Sequence, residues 1–201
     1  MDIHFQKWHI MDSLPVPVCI YARASRNKQF ASNFGVDNYH LYGHCAAKKE
    51  DIYGFKLHLI VTTQGIPAHY VLAPAAHHDV NIAPELIESY RKNILTMGDK
   101  GYVGLKEKLT CPEDYQLIIQ KRENQREQNT PTEKKFLGVF RKTIETTNSL
   151  LAGQFNIQFT RAKSAWGLQN RIIAKLIALT FAIYLNFMAK LPLLQVKNLI
   201  F

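Results

Sequence analysis

The clearest pattern in the chain is an alternation over residues 53–63. Phe55, Leu57, Leu59 and Val61 fall on one face and Lys56, His58 and Ile60 on the other, which predicts a strand. Gln64-Gly65 supplies a tight turn, and residues 66–72 return as a second strand, completing a hairpin. Upstream, residues 9–20 are apolar and rich in β-branched side chains, so they predict a strand that ends or bends at Pro15 and Pro17. Residues 23–50 show no sustained period and predict a long loop or irregular excursion. Beyond the hairpin, residues 73–80 predict a loop and 82–92 a short helix with Pro84 in its first turn. The apolar run 94–97 predicts a strand stopping at Gly98-Asp99-Lys100-Gly101. A helix is expected over 103–110, a strand over 115–119 and an exposed loop over 121–132. From Glu133 the apolar residues Phe136, Phe140, Ile144 and Leu151 recur at helical steps, and a last long helix spans about 167–189. Residues 191–201 are apolar and unpatterned. The order of elements predicts an α/β layer architecture, a mixed sheet flanked by helices.

Composition narrows the class. Hydrophobic residues make up 47% and charged ones 20% of 201 residues, which fits one well-cored globular domain and excludes a disordered chain. Lys and Arg number 25 against 16 Asp and Glu, a formal charge of +9 that favours a polyanionic partner such as nucleic acid. Cys19, Cys45 and Cys111 are odd in number and widely spaced, so they predict reduced thiols in a cytoplasmic protein. His40, His44 and Cys45 cluster, but structural zinc wants four ligands and the fourth is missing. The first eleven residues carry no apolar run of signal-peptide length. Residues 176–188, the most hydrophobic stretch, are shorter than the ~20 residues of a membrane span and contain Asn186. A buried core helix is expected there, with no membrane partner.

Acidic residues are the candidate chemistry. Hard divalent cations are held by carboxylates brought together from distant parts of the chain on rigid elements. Asp12 on the first strand, Asp99 at a strand end and Glu145 on a helix meet that requirement, but periodicity alone does not select them from 16 acids. Asp51, Asp79, Asp114 and Glu133 are also available. His77-His78-Asp79 is expected to be a polar loop leading into a helix, with Asp79 capping the backbone.

Five segments single out the set. Met11-Asp12-Ser13 followed by Pro15 and Cys19 resembles the first-aspartate segment of DDE-type transposases of bacterial insertion sequences. Tyr53-Gly54-Phe55-Lys56-Leu57-His58 resembles that family's second strand, and Ala73-Pro74-Ala75 through Asp79 its loop after the hairpin. Gly98-Asp99-Lys100-Gly101-Tyr102 is similar to its second-aspartate motif. Arg141-Lys142-Thr143-Ile144-Glu145 is similar to its third-carboxylate helix. The segments stand in family order over roughly residues 9–190.

The resemblance implies an RNase H-like fold and Asp12, Asp99 and Glu145 as catalytic, metal-binding residues. It also implies two Mg²⁺ ions (Mn²⁺ as a substitute), cleavage at transposon ends and strand transfer into target DNA by a homo-oligomer. Many relatives carry Tyr three residues before that Arg and Lys seven after that Glu, whereas Gly138 and Ala152 stand here. Relatives also carry an N-terminal DNA-binding region, and eleven residues precede Asp12. The expectation is therefore an N-terminally truncated catalytic domain over residues 1–190 with a tail at 191–201. The alternative is an inactive remnant that binds only DNA or other transposase subunits.

Seven basic residues, Lys121, Arg122, Arg126, Lys134, Lys135, Arg141 and Lys142, stand against three acids between 121 and 142. Beside a nuclease-like carboxylate they predict a surface that tracks the DNA backbone. Arg141 lies one helical turn before Glu145, where it either contacts a phosphate or forms a surface ion pair. Tyr102 and Trp166 could stack on a base, though aromatics near helices are more often core.

Overall fold

The computed structural model describes residues 6–27, 29–45, 49–90 and 94–199. Six strands form one mixed sheet: β1 (Trp8–Pro17), β2 (Tyr42–Cys45), β3 (Glu50–Thr62), β4 (Pro67–Pro74), β5 (Leu95–Gly98) and β6 (Gln116–Ile119). β3 runs antiparallel to β1, β2 and β4, while β5 runs parallel to both β1 and β6. The sheet order is β2-β3-β1-β5-β6, with β4 pairing on β3. Four helices complete the fold: α1 (Gln29–Phe34), α2 (Asp79–Glu88), α3 (Pro131–Gly153) and α4 (Ala165–Met188). This is the RNase H-like α/β arrangement, a mixed sheet flanked by helices.

β1 does not stop at its prolines. It pairs with β3 through Pro17↔Gly54, but with β5 only over Trp8–Ile10. Val18 donates its N–H to Tyr53 on β3, so even-numbered residues of β1 turn their N–H groups toward β3. Pro15 and Pro17, at odd positions, face the side that β5 has already left. No ladder bond is lost there, which is how a strand tolerates proline.

Both faces of the sheet are covered. Ile10, Leu14 and Val16 of β1 join Phe55, Leu57, Leu59 and Val61 of β3 in the larger core, against Ile144 and Leu151 of α3 and Leu168, Ile172 and Leu179 of α4. Met11 and Ile60 point the other way, into a smaller cluster with Leu86 and Ile87 of α2 and Tyr102. The predicted alternation along β3 therefore holds in direction, but its second face is buried as well.

Several expectations are corrected. The stretch 23–50 is not a plain loop: it holds α1, β2 and two 3-10 turns, and it buries Phe30, Ala31 and Leu41. β2 is seated against Ala75, where a Cβ on Gly43 would lie 2.4 Å from the Ala75 carbonyl oxygen. α2 starts at Asp79, earlier than predicted, which puts Pro84 inside the helix rather than in its first turn; residues 91–93 lie outside the described residues. Residues 103–110 form no α-helix, because Gly104 takes φ +87° and leaves a single 3-10 turn, Lys106–Lys108. α3 begins at Pro131, two residues before the predicted start. Thr130 caps the Glu133 N–H, and the Glu133 carboxylate reaches back to the Thr130 N–H at 2.7 Å.

α4 is only half a core helix. Leu168, Ile172, Leu179 and Ile183 are buried, whereas Ile177, Phe181 and Met188 are largely exposed. By length and composition alone it could cross a membrane. Leu193, Leu194 and Val196 of the closing segment pack on the core. The thiols of Cys19, Cys45 and Cys111 are unbridged.

Candidate active site

The geometry starts from a register. Ile10 of β1 pairs with Met97 of the parallel strand β5, and this is the last rung between them. Asp12 stands two residues past that rung on β1, and Asp99 stands just beyond Gly98, the last residue of β5. Ligand-binding groups gather at such strand ends. Residues two apart share a face, so Asp12 lies on the same side as Ile10, facing α3. Asp12, Asp99 and Glu145 of α3 line one cavity of about 70 Å³ together with Gln120 and Arg141.

The Asp12 carboxylate is fixed at both oxygens. Oδ1 accepts the Ser13 N–H at 2.8 Å, and Oδ2 accepts from Asn148 Nδ2 at 2.8 Å, three residues after Glu145 on α3. Neither partner carries charge. Loss of hydration pushes the Asp12 pKa up to about 7, against the Ser13 bond and with help from the charges of Asp99, Asp79 and Glu145. Asp99 caps a 3-10 turn by accepting the Gly101 N–H at 2.8 Å. Glu145 Oε1 accepts from Arg141 Nε at 2.7 Å in a pair that is more than half exposed at each end. Of the two roles left open for Arg141, the ion pair is the one present.

These oxygens suit a hard divalent cation: a buried acid without a charged partner beside two further carboxylates is an arrangement that a cation would relieve. Among the described residues, however, no three His, Cys, Asp or Glu side chains stand close enough to hold one metal ion as placed. Asp99 and Glu145 are each engaged by a donor of their own.

A basic surface adjoins the cavity. One cleft runs from Asp99, Lys100 and Gly101 to Lys121 and Arg122; a second joins Lys121 to Lys134 and Arg141. Arg126, Lys135 and Lys142 are exposed but line neither cleft. The model of the transposase DDE domain family matches residues 10–181. The chain belongs to the transposase DDE domain family. No curated protein and no solved structure matches it.

Within this transposase domain several residues escaped sequence reasoning. Asn148 is one: its spacing from Glu145 puts it on the same helix face, but its bond to Asp12 spans 136 positions. Asp79 is another. It does not cap α2; its carboxylate accepts from Ser13 Oγ at 2.9 Å and pairs with Lys56 at 3.0 Å. Glu133 serves as a helix cap, which removes it from the alternative acids. Tyr102 is fully buried, so it has no face to offer a base, whereas Trp166 is 73% exposed. The Tyr102 hydroxyl has no hydrogen-bond partner, and burial together with Asp12, Asp79 and Asp99 raises its pKa well above the usual phenol value.

Proposed function

We propose that this transposase domain performs metal-dependent phosphodiester cleavage at transposon ends and joins the freed 3′-hydroxyl to target DNA. Asp12, Asp99 and Glu145 hold two Mg²⁺ ions in this proposal, with Mn²⁺ as a substitute. The observation that carries it is that Asp12, Asp99 and Glu145 line one cavity just past the last β1–β5 rung, with Asp12 left short of positive charge. When bound, two such ions activate the attacking oxygen and stabilise the leaving one. Water and then the 3′-hydroxyl serve as nucleophiles.

The residues of the chain supply position and charge. Ser13 and Asn148 keep both Asp12 oxygens oriented. Lys121, Arg122, Lys134 and Arg141 bind backbone phosphates along the two clefts and deliver a strand to the carboxylates. Arg126, Lys135 and Lys142 extend that surface. The working form is a homo-oligomer on DNA in the cytoplasm.

A strand-cleavage and strand-transfer assay with Mg²⁺ or Mn²⁺ tests this. Wild type should cut and join, and Asp99→Ala should do neither. Metal-independent activity, or activity that survives the substitution, contradicts it. The Arg141–Glu145 pair favours one alternative, a remnant that binds DNA or other transposase subunits without cutting. DNA binding with no cleavage under any divalent cation would select that alternative.

A further inference from the structure

β1 carries Asp12 on one face of the sheet and Ser13 on the other. Ser13 therefore connects the candidate site to a partly buried charge pair behind the sheet. Its N–H donates to Asp12 Oδ1, while its hydroxyl donates to Asp79 Oδ2 in the first turn of α2. Asp79 Oδ1 in turn accepts from Lys56 Nζ on β3, at 3.0 Å. The ammonium is fixed by a second bond, to the His77 carbonyl oxygen at 2.9 Å. Lys56 and Asp79 are mostly enclosed, with 18% and 25% of their side chains exposed. A pair so enclosed costs desolvation, and it persists when its remaining bonds are satisfied. Here they are satisfied by Ser13 and the His77 carbonyl.

We propose that Asp79 is a positioning residue for Asp12, acting through Ser13 and held in place by its bond from Lys56. This rests on the proposed metal-binding role of Asp12. A carboxylate at the end of a strand pairing is free to turn about its terminal torsion, and cations bind most tightly to ligands already oriented. Ser13 orients one oxygen through its N–H, and the hydroxyl bond to Asp79 adds to the β3 pairing in holding Ser13 in place. Asn148 orients the other oxygen from α3. Asp79 thus belongs to the support of the site and is not a cap for α2. Its carboxylate also lies near the Asp99 turn, 3.9 Å from where a Cβ on Gly101 would stand.

Mn²⁺ binding to the full chain, followed by electron paramagnetic resonance, tests the proposal without an activity assay. Ser13→Ala removes the hydroxyl link but leaves the backbone N–H and the Lys56–Asp79 pair in place. It should weaken Mn²⁺ binding about tenfold or more, and Ser13→Thr should restore it. Asp79→Asn should weaken binding similarly, and if that variant fails to fold, the Ser13 pair still decides. If the Lys56–Asp79 pair merely tied α2 to β3, Ser13→Ala would bind Mn²⁺ like wild type, and the proposal would be overturned. A loss that Ser13→Thr does not restore overturns it too. Asp12→Ala separates the two levels. If that variant binds Mn²⁺ like wild type, the metal site itself is wrong and this inference goes with it. If Asp12→Ala abolishes binding while Ser13→Ala leaves it unchanged, the positioning role alone fails.

Discussion

Two clefts in this molecule differ in nearly every physical respect. One lies between β4 and α4, encloses about 520 Å³ and is walled mainly by apolar side chains such as Ile173, Ile177 and Phe181. The other, where β1 and β5 part under α3, encloses about 70 Å³ and holds three carboxylates. The large cleft is electrostatically quiet: burial lowers the His69 pKa, and no ion pair lines it among the described residues. The small one forces like charges together and leaves Asp12 poorly hydrated. Of these two clefts, the roomier one is not the one that holds the carboxylates. Perturbed titration of a carboxylate near a strand end is what marks the small cleft as the candidate site.

Substitutions in the two clefts should separate accordingly. Asp12→Ala should reduce strand cleavage by a factor on the order of 10³ or more, the scale of losing charge stabilisation in a transition state. Phe181→Gln, on the exposed face of α4, should leave the rate within about twofold. A comparable loss in both variants would end the distinction between the clefts. Stability sharpens the contrast within α4 itself. Ile172→Ala, in the core, should cost about 2–5 kcal/mol in denaturant unfolding, whereas Ile177→Ala, 62% exposed, should change stability by no more than about 0.5 kcal/mol. Equal costs would mean that the outer face of α4 is packed in solution. Arg141→Ala should also have only a small effect on folding. Its exposed pair with Glu145 contributes at most about 1 kcal/mol, so melting should barely move. The slope of DNA affinity against salt should nevertheless fall by about one, and an unchanged slope would remove Arg141 from the DNA surface.

Much of the scaffold was legible because its signals are local. β3 announces itself by alternation, α3 by its spacing of Phe136, Phe140 and Ile144, and the β3–β4 turn by Gln64-Gly65. The stretch 23–50 was not legible, since Phe30, Ala31 and Leu41 enter the core from elements too short to show a period. The pattern of 103–110 suggested a helix, but Gly104 at positive φ leaves only 3-10 turns around the buried Tyr102 and Leu105. Motifs put the three acids forward as candidates, while their shared cavity was hidden. The rung Ile10↔Met97, just before both aspartates, joins positions 87 residues apart. Asp79 was misread as a cap for a similar reason: its partners, Ser13 and Lys56, come from other strands. Local chemistry names a residue's options, and tertiary contacts choose among them.

Asp12 shares a cavity with Asp99 and Glu145, and it is the buried carboxylate that a cation would most relieve. In the folded chain Asp12 gains its proton near pH 7 rather than 3.8. Between those values the native state binds more protons than the unfolded state, so stability falls as pH rises through that window. At pH 8 the ionised side chain should cost on the order of 4 kcal/mol. Thermal unfolding of wild type and Asp12→Asn at pH 8, with and without Mn²⁺, is the direct measurement. Without metal the variant should melt higher than wild type, with the advantage vanishing near pH 4. Mn²⁺ should raise the wild-type midpoint and leave the variant where it was. Two proteins that melt together at pH 8 and ignore Mn²⁺ alike would contradict the account.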